Sequence, residues 1–332
     1  MKFDVLSLGP FRMDVFVTLP DEDVVEVCSV DRKRSMIELG FGEKIAVDSM
    51  RFSIGGNAAN NAVGISRLGL KAAIVGTIGD GWTDKQALDL LINEGVETKF
   101  VNINPGQQAF GVIINYQGER TILSYYSETR CIWPGDTGLE ANWIYLTSMG
   151  EGYEDFYKSA VLWAKYKGSR IAFNPGTRQL KAGLDHLKYA YEATELLFIN
   201  KEEATLLLQG NHNDQTPITN IKELLIGLKD IGPKTVIITD GEEGAYLFDG
   251  QKFLHMPVVP AEVIQRTGAG DAFGSGFLAA YISGKPVEEA LRWGTVNSAS
   301  VLGHVGPQIG LLDPARMQER LNNNKEVTVE RF

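Results

Sequence analysis

The sequence predicts an α/β protein: a mostly parallel sheet with helices on its faces, carrying a smaller β-layer. From Trp143 onward, the apolar segments IYLTS, RIAFN, LLFIN and TVIITD alternate with helical stretches at 153–167, 179–193, 201–208 and 220–231. Such alternation places helices on both faces of a parallel sheet. Before Trp143 the pattern differs, because Phe110–Asn115 and Arg120–Tyr125 flank Tyr116-Gln117-Gly118-Glu119 as a hairpin. The 332 residues permit one large domain or two ordinary ones. No repeat or low-complexity linker divides the chain, so a single domain, 1–332, is expected. The β-layer, about 11–54 and 108–127, is inserted into its α/β body.

Taken in order, Phe3–Leu8 reads as a buried strand ending at Gly9-Pro10, and Met13–Leu19 as a second strand. Residues 21–35 are rich in charge and are placed on the surface. Ile45–Ile54 alternates as a half-buried strand does, until Gly55-Gly56 breaks the pattern. Asn57–Leu68 has the small and apolar spacing of a closely packed helix, with Gly69 as its C-cap. Ala72–Ile78 is a buried strand, and Thr83–Glu94 an amphipathic helix followed by Gly95. Two long helices, roughly 270–283 and 286–302, close the body. The tail from Asn322 onward is expected to be loosely held.

Hydrophobic residues make up 44% and charged residues 22%, a balance that supports a sizeable core. The net charge of -10 and pI near 5.1 argue against nucleic acid or an anionic membrane as a partner, since both need a basic surface. A small anionic ligand remains allowed, because a few backbone N–H groups suffice to hold one phosphate. No stretch reaches the ~18 apolar residues of a membrane span. Cys28 and Cys131 form no disulfide framework, and zinc-type spacing is absent. Asp4 interrupts the first apolar run and no cleavage site follows, so no signal peptide is expected and the location is read as cytoplasmic.

The most informative segment runs from Ile264 to Phe277, IQRTGAGDAFGSGF. Small residues at Gly268, Ala269 and Gly270 let successive N–H groups point one way at a helix N-terminus, where the dipole end is positive. Such a turn holds a phosphate and the charge that develops on its transfer. Asp271 follows directly and is placed to accept the proton of an attacking hydroxyl. An Asp near a helix start, with glycines permitting a close crossing, explains the same four residues. The run is neither a P-loop nor a Rossmann fingerprint.

RTGAGDAFGSGF resembles the C-terminal signature of the ribokinase-like (PfkB) kinases, DTTGAGDAFxxGF. The run from Gly55-Gly56-Asn57 through Arg67-Leu68-Gly69 resembles their N-terminal signature, GGxxxNxAxxxxRLG. The resemblance covers nearly the whole chain. It implies a three-layer α/β/α body, the β-layer as a lid, and ATP-dependent phosphorylation of a sugar or nucleoside with Mg²⁺. It also implies roles for particular residues. Asp14, Gly56, Asn57 and Asn60 fall at substrate positions, a carboxylate being suited to accept from a vicinal diol. Asn200-Lys201-Glu202-Glu203 matches an NxxE motif in which Glu203, with Asn200, organises Mg²⁺ through water; the pair equally reads as a helix cap and its capping-box partner. Thr239, Gly241 and Gly244 match a nucleotide loop, TxGxxGA, which is also a turn before the strand AYLFD. Thr267 sits beside the phosphates, and Asn297 falls where the family lines its adenine pocket.

Three positions depart from the family pattern. Gln265 and Arg266 replace the usual Asp-Thr, which weakens a site for a monovalent cation such as K⁺. Asp84 stands at a usual glycine, beside Trp82. Asn57 stands where ribokinases carry Lys. The expected function is phosphorylation of a primary hydroxyl of a small sugar-like substrate, with Asp271 as base and the Gly268–Gly270 backbone as anion hole. A nucleoside kinase on the same scaffold is the nearest alternative, since lid aromatics such as Phe16, Phe41, Phe52, Phe110, Tyr116, Tyr125 and Tyr126 are able to stack a base. A non-catalytic sugar-binding regulator is less favoured, given the intact GAGD. A homodimer through the lid is also allowed.

Overall fold

The computed structural model describes residues 2–28, 35–117, 119–126, 130–135, 137–210 and 218–332. The hairpin tip Gly118 and residues 29–34 of the charge-rich stretch lie outside the described residues. In chain order the elements are β1 (Lys2–Leu8), β2 (Arg12–Thr18), β3 (Val25–Cys28), β4 (Ser35–Glu38), β5 (Ser49–Gly55), α1 (Asn57–Arg67), β6 (Ala72–Ile78), α2 (Trp82–Asn93), β7 (Val101–Ile103), β8 (Ala109–Tyr116) and β9 (Glu119–Tyr126). There follow β10 (Glu140–Thr147), α3 (Tyr153–Lys167), β11 (Arg170–Asn174), α4 (Thr177–Ala182), α5 (Leu184–Ala193), β12 (Leu196–Asn200), α6 (Lys201–Gln209) and α7 (Ile221–Asp230). The chain closes with β13 (Thr235–Thr239), β14 (Ala245–Phe248), β15 (Phe253–Met256), α8 (Ala269–Ile282), α9 (Val287–Leu302), α10 (Pro314–Asn323) and β16 (Glu330–Arg331).

The main sheet has ten strands in the order β16-β15-β14-β13-β12-β11-β10-β1-β6-β7. It is parallel from β13 to β7 and antiparallel from β13 to β16. Its central strands are buried on both faces, which explains their unbroken apolar runs. Side chains alternate between faces along a strand, so neighbours enter different cores. Trp143, Tyr145, Leu196 and Phe198 pack under α1, α8 and α9, while Ile144, Leu146, Leu197 and Ile199 pack under α3, α5, α6 and α7. Two cores on one sheet make the three layers.

The smaller sheet has the order β5-β2-β8-β9, with β2 parallel to β8 and antiparallel to β5. β3 and β4 pair as a separate ribbon. The small sheet joins the body where β2 leaves Gly9-Pro10 and where β5 runs into α1. Gly56 makes that joint: its φ is 108°, and a Cβ there would lie 2.6 Å from the Pro10 carbonyl oxygen. Only glycine tolerates both conditions.

Four sequence expectations need correction. The strand expected from Ile45 starts at Ser49, opposite Thr18, and its residues Ser49–Phe52 are exposed rather than alternately buried. The helix expected over 179–193 is two helices, broken at Gly183, whose φ of 85° no ordinary residue adopts cheaply. β7 was not anticipated. The tail is tied down: Asp313 caps α10 through Arg316 N–H at 2.9 Å with Pro314 in the first turn, and β16 then adds to the sheet beside β15. Val327 and Val329 pack on the core under α8 and α9. Removing residues 325–332 should therefore cost about 2 kcal/mol, the contribution of two half-buried valines. A thermal or urea midpoint equal to that of the full chain would show that the tail contributes nothing.

Candidate active site

Gly268 caps α8 in the left-handed conformation, φ 82° and ψ 0°, and a Cβ there would lie 2.4 Å from Cβ of Pro307. This glycine lets the loop around Pro307 press against the helix start. Asp271 sits in the first turn of α8 and is buried. Asn60 of α1 donates from Nδ2 to Asp271 Oδ2 at 2.8 Å. Asn60 Oδ1 in turn accepts from Gln308 Nε2 at 3.0 Å. The loop that carries Gln308 is clamped by Arg67, which donates to the Gln308 carbonyl at 2.6 Å and is itself held by Glu94 at 2.6 and 2.7 Å. The two signature stretches, far apart in sequence, thus meet through Asn60 and Asp271.

Burial pushes the Asp271 carboxyl up to about 6; the Asn60 hydrogen bond opposes this and the charge of Glu203 adds to it. Tyr145 of β10 lies beneath α8, so close that a Cβ on Gly274 would stand 2.8 Å from its hydroxyl. Its phenol is raised well above its ordinary range by burial, then by Asp271 and Glu203.

Two cavities meet at this turn. The first, about 310 Å³, is lined by Asp14, Gly56, Asn57, Asn60, Thr267, Gly268 and Asp271, together with Arg12 and Arg120. The second, about 440 Å³, is lined by Thr239, Gly241, Gly244, Ala269 and Gly270, with Val258, Val259 and Phe273 as apolar wall. The segment 266–271 contributes to both and separates them. The Thr267 Oγ1 atom is enclosed and has no hydrogen-bond partner among the described residues. An orphaned donor there suits a phosphate oxygen. Ala269 N–H makes only a long turn bond, 3.4 Å, to the Arg266 carbonyl.

Several predicted residues are placed differently from their expectation. Asp14 is not an open acceptor. Arg12 Nε donates to its Oδ1 at 2.7 Å, and Arg12 Nη2 donates to Ser124 Oγ at 3.2 Å. A Cβ on Gly55 or Gly111 would come within 1.8 or 2.1 Å of the Asp14 carboxylate, so glycine on both flanking strands makes room for it. Burial raises the Asp14 carboxyl, and Arg12 opposes that. Arg12 was missed, although Arg-x-Asp within one strand puts both side chains on one face. Asn297 does not reach the second cavity. It is fully buried, donates to the Ala272 carbonyl at 2.8 Å and accepts from Leu312 N–H at 3.0 Å. Thr295, Ser298, Ala299 and Leu302, at helical spacing on another face of α9, line that cavity instead.

Asn200 and Glu203 form a capping box, with Glu203 N–H to Asn200 Oδ1 at 2.8 Å and Asn200 N–H to Glu203 Oε2 at 3.1 Å. They line neither cavity. Burial raises the Glu203 carboxyl, the Asn200 N–H lowers it, and Glu202 raises it. Among the described residues no cluster of three or more His, Cys, Asp or Glu is arranged to hold a metal. One carboxylate without such a cluster suits Mg²⁺ carried on phosphates and touched through water. Gln265 is buried and joins the small sheet to loops of the body: its Nε2 donates to Asn115 Oδ1 of β8 at 2.5 Å, and its Oε1 accepts from Gly306 N–H at 2.7 Å. Arg266 is exposed and pairs with exposed Glu242 at 3.3 Å, a contact of little energetic weight. Trp82 is exposed and stacks edge-on against Phe52, while buried Asp84 accepts from Gly81 N–H at 3.1 Å.

A three-layer body, a small sheet at its rim and two cavities sharing one helix start define a sugar or nucleoside kinase of ribokinase fold. The chain belongs to the pfkB family of carbohydrate kinases, which it matches over residues 23–314, and it is an ATP-dependent kinase. It is 24% identical over 286 residues to a nucleoside kinase of Methanothermobacter thermautotrophicus, covering 83% of this chain and 86% of that one. It is 27% identical over 288 residues to the ribokinase of Bacillus subtilis, covering 85% and 92%. The solved structure of Arabidopsis thaliana ribokinase complexed with ribose and ATP superposes with a TM-score of 0.76 at 20% identity, over 97% of this chain and 99% of that one.

The buried Asp271 has a consequence for stability. Its folded pKa of about 6 lies above the ordinary 3.8, so its contribution is complete below that ordinary value and is lost as pH rises through about 6. At pH 7.5 the ionised form costs about 3 kcal/mol, at 1.36 kcal/mol per pH unit. Asp271→Asn should therefore unfold at a higher temperature than the parent at pH 7.5, with the gap closing toward pH 4. A variant no more stable than the parent at pH 7.5 would contradict this.

Proposed function

We propose that this kinase moves the γ-phosphoryl group of ATP to a primary hydroxyl of a small sugar or sugar-like compound, with Asp271 as general base. The observation that carries the reading is the position of Asp271: buried at a helix start, on the wall between a polar cavity and a second cavity lined by the predicted nucleotide loop. The substrate hydroxyl in the first cavity gives its proton to Asp271 Oδ1 or Oδ2 as its oxygen attacks phosphorus. The N–H groups of Gly268, Ala269 and Gly270, with the Thr267 hydroxyl, stabilise the charge on the transferring group. Mg²⁺ carried on ATP would supply further charge neutralisation, and Glu203, by its match to the NxxE motif, would orient its waters. The Arg12–Asp14 pair and Asn57 hold the sugar, and Asn60 holds the base. The small sheet acts as a lid that excludes water and so limits wasteful hydrolysis. Met50, Phe52, Leu123 and Tyr125 leave it with exposed apolar surface, which supports pairing with a second copy.

A nucleoside needs a surface on which its base stacks. Phe16 is buried in the core and Phe41 is fully exposed. Among the described residues, Phe11 is the one aromatic side chain lining the first cavity, beside Asn57, Asn60, Gln107 and Gln108. This lining supports a sugar over a nucleoside.

Two outcomes are expected. Asp271→Asn should lower kcat/KM by ~10²–10⁴, the usual cost of losing a general base, with ATP binding retained. A coupled ADP-release assay showing more than about half the parent activity at neutral pH would end the base assignment. In the same assay, the best of ribose, fructose and 2-keto-3-deoxygluconate should exceed adenosine, inosine and cytidine in kcat/KM. A nucleoside ahead of every sugar by about tenfold, near 1.4 kcal/mol in transition-state binding, would reverse the substrate choice and leave the kinase assignment standing.

A further inference from the structure

We infer that Gln308 is a positioning residue that sets the orientation of the Asn60 amide and thereby keeps its N–H, rather than its carbonyl, on Asp271. The inference rests on Asp271 being the base. It follows from the direction of each hydrogen bond in the chain. Gln308 Nε2 donates to Asn60 Oδ1 at 3.0 Å and also faces the backbone carbonyl of Ile54 at 3.3 Å. A backbone carbonyl only accepts, so the end of the Gln308 side chain that meets it must be the amide nitrogen. With that end fixed, the Asn60 atom facing Gln308 must be its oxygen, and the atom facing Asp271 must be Nδ2, 2.8 Å from the carboxylate. A carboxylate accepts when ionised but donates when protonated, so Asp271 alone would let Asn60 present its N–H to the first form and its oxygen to the second; the Gln308 contact removes that choice. The polarity is thus imposed from Ile54, at the end of β5, and transmitted through two amides to the carboxylate.

The support behind Gln308 is equally directional. Arg67 Nη1 donates to the carbonyls of Gln308 and Leu311 at 2.6 and 3.3 Å. Gln308 and Asn60 are both buried, at 7% and 5% exposure, so water does not compete for these amides. A hydrogen bond donated to a carboxylate favours its ionised form. Asn60 is the side chain that hydrogen-bonds Asp271 among the described residues. The other groups turned toward it are Glu203 from α6 and Tyr145 from β10, with the Arg12–Asp14 pair and Arg120 on the walls of the shared cavity. Glu203 and Tyr145 favour the protonated carboxyl or are neutral. The Asn60 N–H is the local group that holds the base ready in its active form. Without Gln308, the Asn60 amide is free to turn its oxygen to Asp271 and accept a hydrogen bond from its protonated form.

The test is the pH dependence of kcat/KM from pH 5 to 9, measured on whichever sugar the parent enzyme turns over, for the parent, Gln308→Leu and Gln308→Met. Leucine removes the amide with little change of volume. Methionine keeps the length, adds no charge, cannot donate, and carries the test if the leucine variant does not fold. Both should move the acid limb upward by ~1 pH unit, the loss of one charge-assisted hydrogen bond. At pH 8.5, where the base is ionised in all forms, activity should return to within about threefold of the parent. A fall in rate that is uniform across pH, with the acid limb unmoved, would show that Gln308 is structural only and overturn the inference. A parent profile without an acid limb, or an active Asp271→Asn variant, would instead remove the base assignment itself.

Discussion

A buried carboxylate is costly to keep charged, and the packing around Asp271 is arranged about that cost. Asp271 gains from the helix start and from one donated hydrogen bond, and loses from burial and from Glu203. A general base works best with a pKa near the working pH, and a raised carboxyl is closer to that condition than an exposed one. The burial that raises the Asp271 carboxyl makes the folded state less stable when it is charged. If Asp271 is the base as proposed, function is maintained there against stability.

The glycines around the cavity follow from the need to bring backbone and charge together. Gly56 allows the small sheet to cross the body at Pro10 and Phe11, and Gly268 allows the Pro307 loop to meet α8. Gly55 and Gly111 are required for a different reason, since their missing side chains leave the space that the Asp14 carboxylate fills. Paired with Arg12, that carboxylate forms a neutral, buried dipole on the inner face of the small sheet. Gln265 then ties this sheet to the body through Asn115 and Gly306. In place of a carboxylate, which would attract a cation, the site has an amide that satisfies one donor and one acceptor at once.

Much of the fold was legible because strand and helix periods differ and because glycine ends elements sharply. The strands RIAFN, LLFIN and TVIIT and the helix over 153–167 fall where the patterns put them. The helix expected over 179–193 is two, because Gly183 breaks it with a positive φ that the helical spacing of its neighbours does not reveal. α10 was missed although Asp313-Pro314 is a strong helix start, because the asparagines after it suggested a loose end. Within the site, Asp271, Gly268 and Asn60 could be located from local motifs. Arg12, Gln308 and the side-chain partners of Asn297 could not. Their roles depend on contacts across the fold, and no local pattern encodes which amide will meet which carboxylate. Arg67 is intermediate: the N-terminal signature contains it, but its task of clamping the Gln308 loop is visible only in three dimensions.

The hydrogen-bonded chain that ends on Asp271 has a bearing on how the protein is made. Asn60 lies 211 residues from Asp271 and 248 from Gln308, and Arg67 lies 241 from Gln308. On the ribosome, α1 emerges with Asn60 and Arg67 long before any of these partners exists. The central strand β1 likewise waits for β10, its neighbour in the sheet. Contacts of such sequence separation form late and slowly. A chain ending before the Gln308 loop lacks the partners of Asn60 and Arg67 and so the completed network of hydrogen bonds. Until those partners exist, α1 and β1 present apolar faces without cover, and chains in that state depend most on protection from aggregation.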